Sequence, residues 1–519
     1  MSPPRNFLDL PYELRHQIYR HYFALDNGYV FNSGSGKLAT SNNEPPDLSL
    51  MYTCSTIAAE TKGLPLSVNT ISFSTVYHKD WSSWAIRFHC LHSAQRLRRF
   101  DSLVSSLNNI TPDIHAQLAA KFPLFITLFI QLLEEEIEPN RSDLAAFFSS
   151  TSYRDPAEYM LHWSYYWGRG NREGECLSMV HQATEYALQL LAQARNEKLD
   201  ELSSQEPSPQ GDRLDLVGQC YEPWAIPSWS DLEATGRELQ DEHMWQLLKN
   251  RPDHFKFRFS ATAVAIRFLR HLSDSNRLSI RKIILDEDHM AVGDPECHAQ
   301  GLIPFCKENP RLQIERRVSL INNILQRASH YEPFDKNELE ESARAGYRDF
   351  SPGLITEEVT HWLVEALAVM DAGMPAGAFT FVLDGEPAAD LCSEVFQGTI
   401  HRDLAWHSAV EQCYPLPPGM TVRHEMYFFN NNLVRVMGHL VNQTSILHSN
   451  FDAGQFWDVG KVMEMFQDWT LADVSYEYRL RNTHYSDGQC DMPLYEMPPS
   501  LPSWVELLLE NYDWEIEGA

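Results

Sequence analysis

The stretch SIRKIILDED, residues 279–288, decides the fold expected for this chain because an apolar strand pattern ends in a run of acids. The largely apolar segment from Ile280 to Leu285 is typical of a strand buried in a sheet. The same pattern recurs in AFTFVLDGE, residues 378–386, which also ends in Leu-Asp and a further acid. The sequence therefore predicts two related strands with acidic ends.

A helical pattern precedes each of these strands. ATAVAIRFLRHL, residues 261–272, places its apolar side chains on one stripe. TEEVTHWLVEALAVMDAG, residues 356–373, predicts a helix with Thr356 as N-cap and Gly373 at its end. Helix followed by strand, twice, favours α/β packing in which the two strands are parallel near neighbours.

Composition restricts the classes of function. The 519 residues suffice for roughly three or four domains, and a hydrophobic share of 43% is ample for packed cores. A formal charge of −29 argues against nucleic-acid partners, which need a dense Lys and Arg surface, and an anionic membrane would repel this chain. The most apolar run, residues 122–133, is too short to cross a bilayer.

The cysteines and the amino terminus indicate a compartment. Nine cysteines are scattered without C-x-x-C spacing, which is typical of reduced, mostly buried thiols. The first residues lack the basic and apolar regions of a secretory signal. We therefore expect a cytoplasmic or nuclear protein.

The amino-terminal sequence predicts a compact module. In FLDLPYELRHQIYRHYF, residues 7–23, apolar residues recur every fourth position, as on one side of a helix that Pro11 begins. YVFNSGSGKLAT, residues 29–40, predicts a hairpin, and NTISFST, residues 69–75, predicts a strand. Between them, LSLMYTCSTIAAETKGL predicts a single second helix that ends at Gly63.

This module resembles the F-box-like domain of many uncharacterised fungal proteins over about residues 5–76, and its Leu-Pro-x-Glu-Leu opening resembles that of an F-box. The second helix departs from the usual Val-Cys-x-x-Trp pattern. In an F-box, the surface around this opening binds the adaptor of a cullin-type ubiquitin ligase, and the rest of the chain selects a substrate. The resemblance implies an adaptor contact formed by Leu8, Leu10, Pro11, Leu14 and Ile18. Alternatively, these side chains pack the module onto the rest of the chain.

The expected fold class is α-rich α+β, with a small helical F-box-like domain that includes a hairpin, then a mainly helical region, then an α/β body with few strands. The segment SSQEPSPQGD, residues 203–212, is polar and contains two prolines and a glycine, which predicts a linker or loop. The predicted segments are an F-box-like domain at 1–80, a helical region at 81–202, a linker at 203–216, an α/β region at 217–335, and a second one with a C-terminal helix at 336–519.

The acids after the two strands are candidates for a site, because clefts in α/β sheets lie at the carboxyl ends of strands. Asp286, Asp288, Asp384 and Glu386 could bind a hard metal ion there if they converge. The sequence favours a plainer role, in which acids carry the chain from the core into solvent. No EF-hand spacing and no phosphate-binding glycine loop accompanies them, so we expect no metal and no cofactor.

A zinc site is a further hypothesis for residues 289–306. Cys297, His298 and Cys306, with His289 upstream, carry suitable donor atoms, but their spacing lacks a second close pair. No nucleophile elbow or zincin motif is present elsewhere.

The expected function is therefore that of a non-enzymatic substrate-recognition subunit of a cullin-type ubiquitin ligase, with an adaptor and an unknown substrate protein as partners. The first alternative is a metal-dependent hydrolase that uses the acids at the two strand ends. The second is a structural interaction module without a ligase connection.

Overall fold

A computed structural model describes residues 6–106, 109–123, 125–126, 176–201, 220–238, 255–328, 352–414, 432–482 and 495–513. In this part of the chain, seven strands form one sheet. The strands are β1 Tyr29–Asn32, β2 Lys37–Ala39, β3 Thr70–Ser74, β4 Lys282–Glu287, β5 Gln313–Ser319, β6 Phe379–Asp384 and β7 Leu447–Ser449.

Helices connect and cover the strands. The α-helices are α1 Tyr12–Phe23, α2 Ser55–Glu60, α3 Leu64–Val68, α4 Lys79–Ser105, α5 Pro112–Lys121, α6 Leu177–Glu201, α7 Trp229–Glu238, α8 Ala261–His271, α9 Asp274–Arg277, α10 Ile303–Glu308, α11 Leu325–Arg327, α12 Pro352–Asp371, α13 Ala389–Val395, α14 His401–Cys413, α15 Leu433–Asn442, α16 Val459–Met465, α17 Leu471–Asn482 and α18 Trp504–Leu509. Single 3₁₀ or π turns at Phe7–Asp9, Ser49–Tyr52, Pro295–Leu302, Leu320–Ile324 and Phe396–Ile400 complete the described elements.

The strand order is β2-β1-β3-β4-β5-β6-β7, and every pair except the β1–β2 hairpin is parallel. From β3 onward, each strand lies directly beside the previous one. Because parallel crossovers are right-handed, this order collects the connecting helices on one face of the sheet. From β3 to β7 the described sheet is therefore wound in one direction, whereas the hairpin strand β2 lies on the other side of β1.

Burial along the strands agrees with this winding. Alternate side chains of β4, β5 and β6 are fully buried in the main core, and those between them are only half-buried or exposed. We call this second side the open face. Its central residues are Ser72, Ser74, Lys282, Ile284, Asp286, Glu315, Arg317, Thr380, Val382 and Asp384.

The amino-terminal helices have a separate small core, which consists of Tyr19, Phe23, Ile57 and Leu64 with partly buried neighbours. The strands of the same module, β1 to β3, belong to the common sheet. That sheet therefore passes through three of the five predicted segments, 1–80, 217–335 and 336–519.

Asn69 attaches the helices to the sheet at the end where β1 and β3 begin, which we call the amino edge. Its amide nitrogen donates to the carbonyls of Phe23 and Pro65 at 2.7 and 2.8 Å. Its amide oxygen accepts from the Leu25 N–H at 2.8 Å. The side chain thus joins the end of α1, the end of α3 and the start of β3 in one buried contact.

Several predictions of local structure are confirmed. The hairpin forms with Asn32 opposite Lys37, and the strands at 70–74, 282–287 and 379–384 are present. Helices cover 79–105, 112–121 and 177–201 of the predicted helical region, which agrees with its predicted helical content. The predicted linker at 203–216 lies outside the described residues.

Other predictions are wrong. The single helix expected over 48–63 is broken at Cys54, whose backbone is extended with φ −160°. Its Thr-Cys-Ser-Thr centre consists of residues with low helix propensity. Thr356 is not an N-cap but an interior residue of α12, which begins at Pro352, because proline suits the first helical position.

The two acid-ended strands are parallel but are not adjacent. Strand β5 lies between β4 and β6, with Leu285 opposite Arg316 and Arg316 opposite Phe381. Neither β5 nor β7 was predicted, so the sheet has more strands than the sequence indicated.

Candidate functional site

An exposed apolar row, which we call the apolar face of α1, consists of Leu14, Ile18 and Tyr22 of this helix and of Leu10, which lies just before it in an extended conformation. The exposed fractions of Leu10, Leu14, Ile18 and Tyr22 are 37%, 47%, 45% and 42%. Leu14, Ile18 and Tyr22 recur every fourth position and therefore lie along one side of the helix. Large apolar side chains in such a row mark a surface that differs from scattered single apolar residues.

The opposite side of α1 holds the helix in place. Tyr19 and Phe23 are buried in the amino-terminal core. The Tyr19 hydroxyl donates to Glu60 of α2 at 2.9 Å, and Arg15 Nε donates to the same carboxylate at 3.0 Å. The Arg15 hydrogen bond lowers the pKa of Glu60. Buried and polar contacts therefore fix one side of α1, while Leu14, Ile18 and Tyr22 on the other side face outward.

The predicted adaptor residues separate into two groups. Leu10, Pro11, Leu14 and Ile18 are exposed. Leu8 is half-buried and packs against the amino-terminal core. The alternative that these residues pack the module onto the rest of the chain does not apply to the four exposed ones.

At the opposite end of the strands, the carboxyl edge, two of the predicted acids flank a basic residue. Asp286 pairs with Arg317 across β4 and β5, and Asp384 pairs with Ser319 across β5 and β6. The guanidinium of Arg317 donates through Nε to Glu315 Oε1 at 2.7 Å. Arg317 therefore makes its closest contact with Glu315 on its own strand. Asp286 and Asp384 lie to the sides of this guanidinium.

The two aspartates differ in their hydrogen bonding. Asp384 accepts from Asn450 Nδ2 at 2.7 Å and from the Glu386 N–H at 3.0 Å. Asp286 accepts no hydrogen bond within the described chain. Burial raises the pKa of Asp286 to about 6, Arg317 acts in the opposite direction, and repulsion from Asp288 and then from Asp384 adds to the rise. The negative charge of Asp286 is thus only partly offset by neighbouring groups.

The other two predicted acids are not part of this arrangement. Asp288 accepts from the backbone N–H of Thr75 at 3.0 Å and from its hydroxyl, and His289 lies 3.5 Å away. These contacts lower the pKa of Asp288 although burial opposes them. Glu386 is exposed to solvent. The four acids therefore do not face one cleft, as a shared metal site would require.

Sequence reasoning missed Glu287, the acid on the helix-covered face of β4. Its carboxylate accepts from Arg316 Nη2 at 2.9 Å and Nε at 3.1 Å. It also accepts from the N–H groups of Ala261 and Thr262 at 2.9 and 3.2 Å, at the positive end of α8. The one sequence signal was the position of Glu287, which shares the helix-covered face of the strand with Ile283 and Leu285 by alternation.

The acidic loop after β4 is also largely buried. Asp294 forms an ion pair with Arg96 of α4, and Glu296 accepts from Arg327 Nη1 at 2.6 Å. Although burial acts to raise it, Arg96 lowers the pKa of Asp294 well below its ordinary value. These pairs attach the helical region to the loop, so the acids of this loop are structural ion-pair partners.

The residues of the zinc hypothesis have other partners. His298 donates through Nε2 to the Gly293 carbonyl at 2.6 Å, and its Nδ1 lies 2.7 Å from the Ser260 hydroxyl. Burial lowers the pKa of His298 to about 4 and raises that of Cys306 to about 12. Within the described ranges, no group of three or more His, Cys, Asp or Glu side chains is arranged to hold a metal ion.

Beside this loop lies a small cavity of about 10 Å³, which offers room for about one water molecule. Glu365 of α12 accepts from the Ser178 N–H at 2.8 Å through Oε1, and its buried Oε2 has no hydrogen-bond partner among the described residues. Burial raises the pKa of Glu365 to about 7. The cavity is lined by Cys176, Leu177, Asp294, Glu296, His361, Val364 and Glu365.

Comparisons with protein-family models, with curated proteins and with solved structures find no match to this chain. Among the helices that the structure describes, none combines the length and the apolar character that crossing a bilayer requires. The described part of the chain is an α/β structure with a mostly parallel sheet, an exposed apolar row on α1 near the amino edge, and a polar open face that ends in Asp286 and Asp384 at the carboxyl edge.

Proposed function

We propose that this chain is a substrate-recognition subunit of a cullin-type ubiquitin ligase, and that the exposed apolar face of α1 binds the ligase adaptor. The observation that carries the proposal is the row of Leu10, Leu14, Ile18 and Tyr22, which solvent reaches while the other side of the helix is buried. Burying such a row against a partner releases apolar surface from water. We take the partner to be a ligase adaptor because the Leu-Pro-x-Glu-Leu opening resembles that of an F-box.

The position of the helix supports a bridging role. Asn69 holds α1 at the amino edge, and the open face with Asp286 and Asp384 ends at the carboxyl edge. A strand of six residues, such as β4, separates the two edges by about 20 Å. A protein bound to α1 would therefore leave the carboxyl edge free for a second protein.

Binding of the full-length chain to purified adaptor tests the proposal, with isothermal titration calorimetry as the measurement. Leu14→Asp and Ile18→Asp each place a charge in the centre of the contact, so we expect affinity to fall at least tenfold. Val434→Asp is the matched control, because Val434 is 45% exposed on α15 and Ile18 is 45% exposed on α1. The control should bind as the unmodified chain does.

Circular dichroism of each variant separates loss of binding from loss of structure. Both α1 variants should melt at the temperature of the unmodified chain, because their side chains lie outside the amino-terminal core. If the unmodified chain shows no heat of binding, or if all three variants bind equally, the adaptor proposal is wrong.

A further inference from the structure

In the part of the chain that the structure describes, the winding from β3 to β7 leaves a polar surface that the connecting helices do not cover. Parallel sheets are normally covered on both faces. Here the sequential strand order places the connecting helices on one side only. On the open face, the side chains of Lys282 and Arg317 are 44% and 40% exposed, although both belong to central strands. This surface is accessible to another molecule.

The charges on the open face are not balanced within the chain. Arg317 is engaged by Glu315, and Lys282 Nζ lies 3.5 Å from the same glutamate. Among the described residues, Asp286 and Asp384 form no ion pair of their own, and both are attracted to Arg317. The carboxyl end of the open face therefore carries uncompensated negative charge.

We propose that the carboxyl end of the open face binds basic side chains, Lys or Arg, of a partner protein, and that Asp286 and Asp384 recognise them. Two steps between neighbouring strands and an offset of two residues along the strands separate Asp286 from Asp384, which gives about 12 Å between their backbones. Two cations three residues apart in an extended segment have a similar spacing. The identification of this partner as the substrate rests on the proposed ligase function; the recognition of cations does not.

The open face combines acidic, basic and apolar side chains, and this combination makes it selective for basic segments. Arg317, between the two acids, repels a cation at the centre and leaves two separate positions beside it. The half-buried apolar side chains of Ile284 and Val382 lie on the same face. A basic segment with aliphatic stems can cover them while its charged groups approach the aspartates. An acidic or neutral segment would leave both aspartates uncompensated.

The test uses the full-length chain and a fluorescent peptide, acetyl-GKGGKGGKG-amide, with acetyl-GQGGQGGQG-amide as the neutral comparison, in anisotropy titrations at physiological salt. The combined variant Asp286→Asn and Asp384→Asn should weaken binding of the lysine peptide at least tenfold. The control pair Asp26→Asn and Glu44→Gln removes the same charge from exposed positions outside the open face and should change affinity less than twofold. The neutral peptide should not bind.

A gain-of-binding variant excludes misfolding as the explanation. Arg317→Gln removes the repelling cation and frees Glu315, so the lysine peptide should bind several times more tightly. Equal losses in both double variants would show general attraction to an acidic protein, and weaker binding by Arg317→Gln would contradict the assigned geometry. Either result overturns the inference.

The two proposals fail separately. Leu14→Asp should leave peptide binding unchanged, and the double aspartate variant should leave adaptor binding unchanged. If the unmodified chain does not bind the adaptor but selects the lysine peptide, only the ligase function is contradicted. If it binds the adaptor but does not select the lysine peptide, only the open-face site is contradicted.

Discussion

Glu287 shows how a charge is kept inside this protein. The side chain is fully buried, and so is its partner Arg316. Two backbone N–H groups of α8 and two nitrogens of Arg316 surround the carboxylate. Arg316 in turn donates to the carbonyl oxygen of Glu296 at 3.1 Å. A strand, a neighbouring strand, a helix and a loop are therefore joined at one residue.

Replacing Glu287 with Ala should destabilise the protein strongly. The change leaves the Arg316 guanidinium buried without its counter-charge, for which we expect a loss of about 3–5 kcal/mol. Urea unfolding followed by circular dichroism measures it. Glu315→Ala is the control, because its partners Lys282 and Arg317 are largely exposed and the loss should stay below about 1 kcal/mol. Similar losses in both variants would refute this account.

Glu365 should make stability depend on pH. Burial raises the pKa of its carboxyl to about 7 in the folded protein, from about 4.5 in the unfolded chain. The folded state therefore holds the proton more tightly, and this contribution to stability is complete below pH 4.5 and lost as the pH rises to 7.

Glu365→Gln mimics the protonated form at every pH. The melting temperature of this variant relative to the unmodified protein should therefore increase from pH 5 to pH 8. Differential scanning calorimetry at several pH values measures the difference. A difference that does not change with pH would show that Glu365 is not the titrating group.

At the level of elements, the sequence predicted the helix and strand pairs whose periodicity was regular. Strand β5 was missed because its sequence, QIERRVS, contains three consecutive charged residues, of which only Arg316 points into the core. A sequence pattern cannot show that this arginine meets Glu287. Strand β7 has three residues, too few for a periodic pattern.

Part of the candidate site was predictable, because the two strands that carry Asp286 and Asp384 have regular apolar patterns. Strand ends placed Asp286 and Asp384 on one edge, as expected from two parallel strands. Asp288 was indistinguishable from them in sequence, and only the fold brings it to Thr75. The exposure of α1 was also beyond the sequence, because a stripe of apolar residues predicts a helix face but not what covers it.

The predicted carboxyl-terminal helix is present as α18 and is docked onto the body. Ser503 and Glu506 form a capping box at its start. The Trp504 indole donates to the Tyr495 carbonyl at 2.8 Å. Just beyond the helix, Asn511 is buried and accepts from Arg258 Nη1 at 2.9 Å.

Asn511→Ala should weaken this docking. The change leaves a buried donor of Arg258 without its acceptor, at a cost of about 1–3 kcal/mol. Thermal unfolding measures it. The neighbouring exposed Glu510→Gln keeps the backbone contacts and should have almost no effect. An unchanged melting temperature for Asn511→Ala would show that the terminal segment contributes little to the body.

At the level of the whole molecule, one direction of winding explains both surfaces. The connecting helices accumulate on one face, the amino-terminal helices attach at one edge, and the other face remains polar. The proposed adaptor contact on α1 and the proposed cation contact on the open face thus use surfaces that lie outside the main core.

The sequential order of strands also bears on how the protein is made. From β3 onward, each strand pairs with one that precedes it in the chain. A nascent polypeptide leaving the ribosome therefore never waits for a later strand before it can extend the sheet. Among the described strands, β7 is the last to join this growing edge, and its three residues offer little backbone for unwanted association.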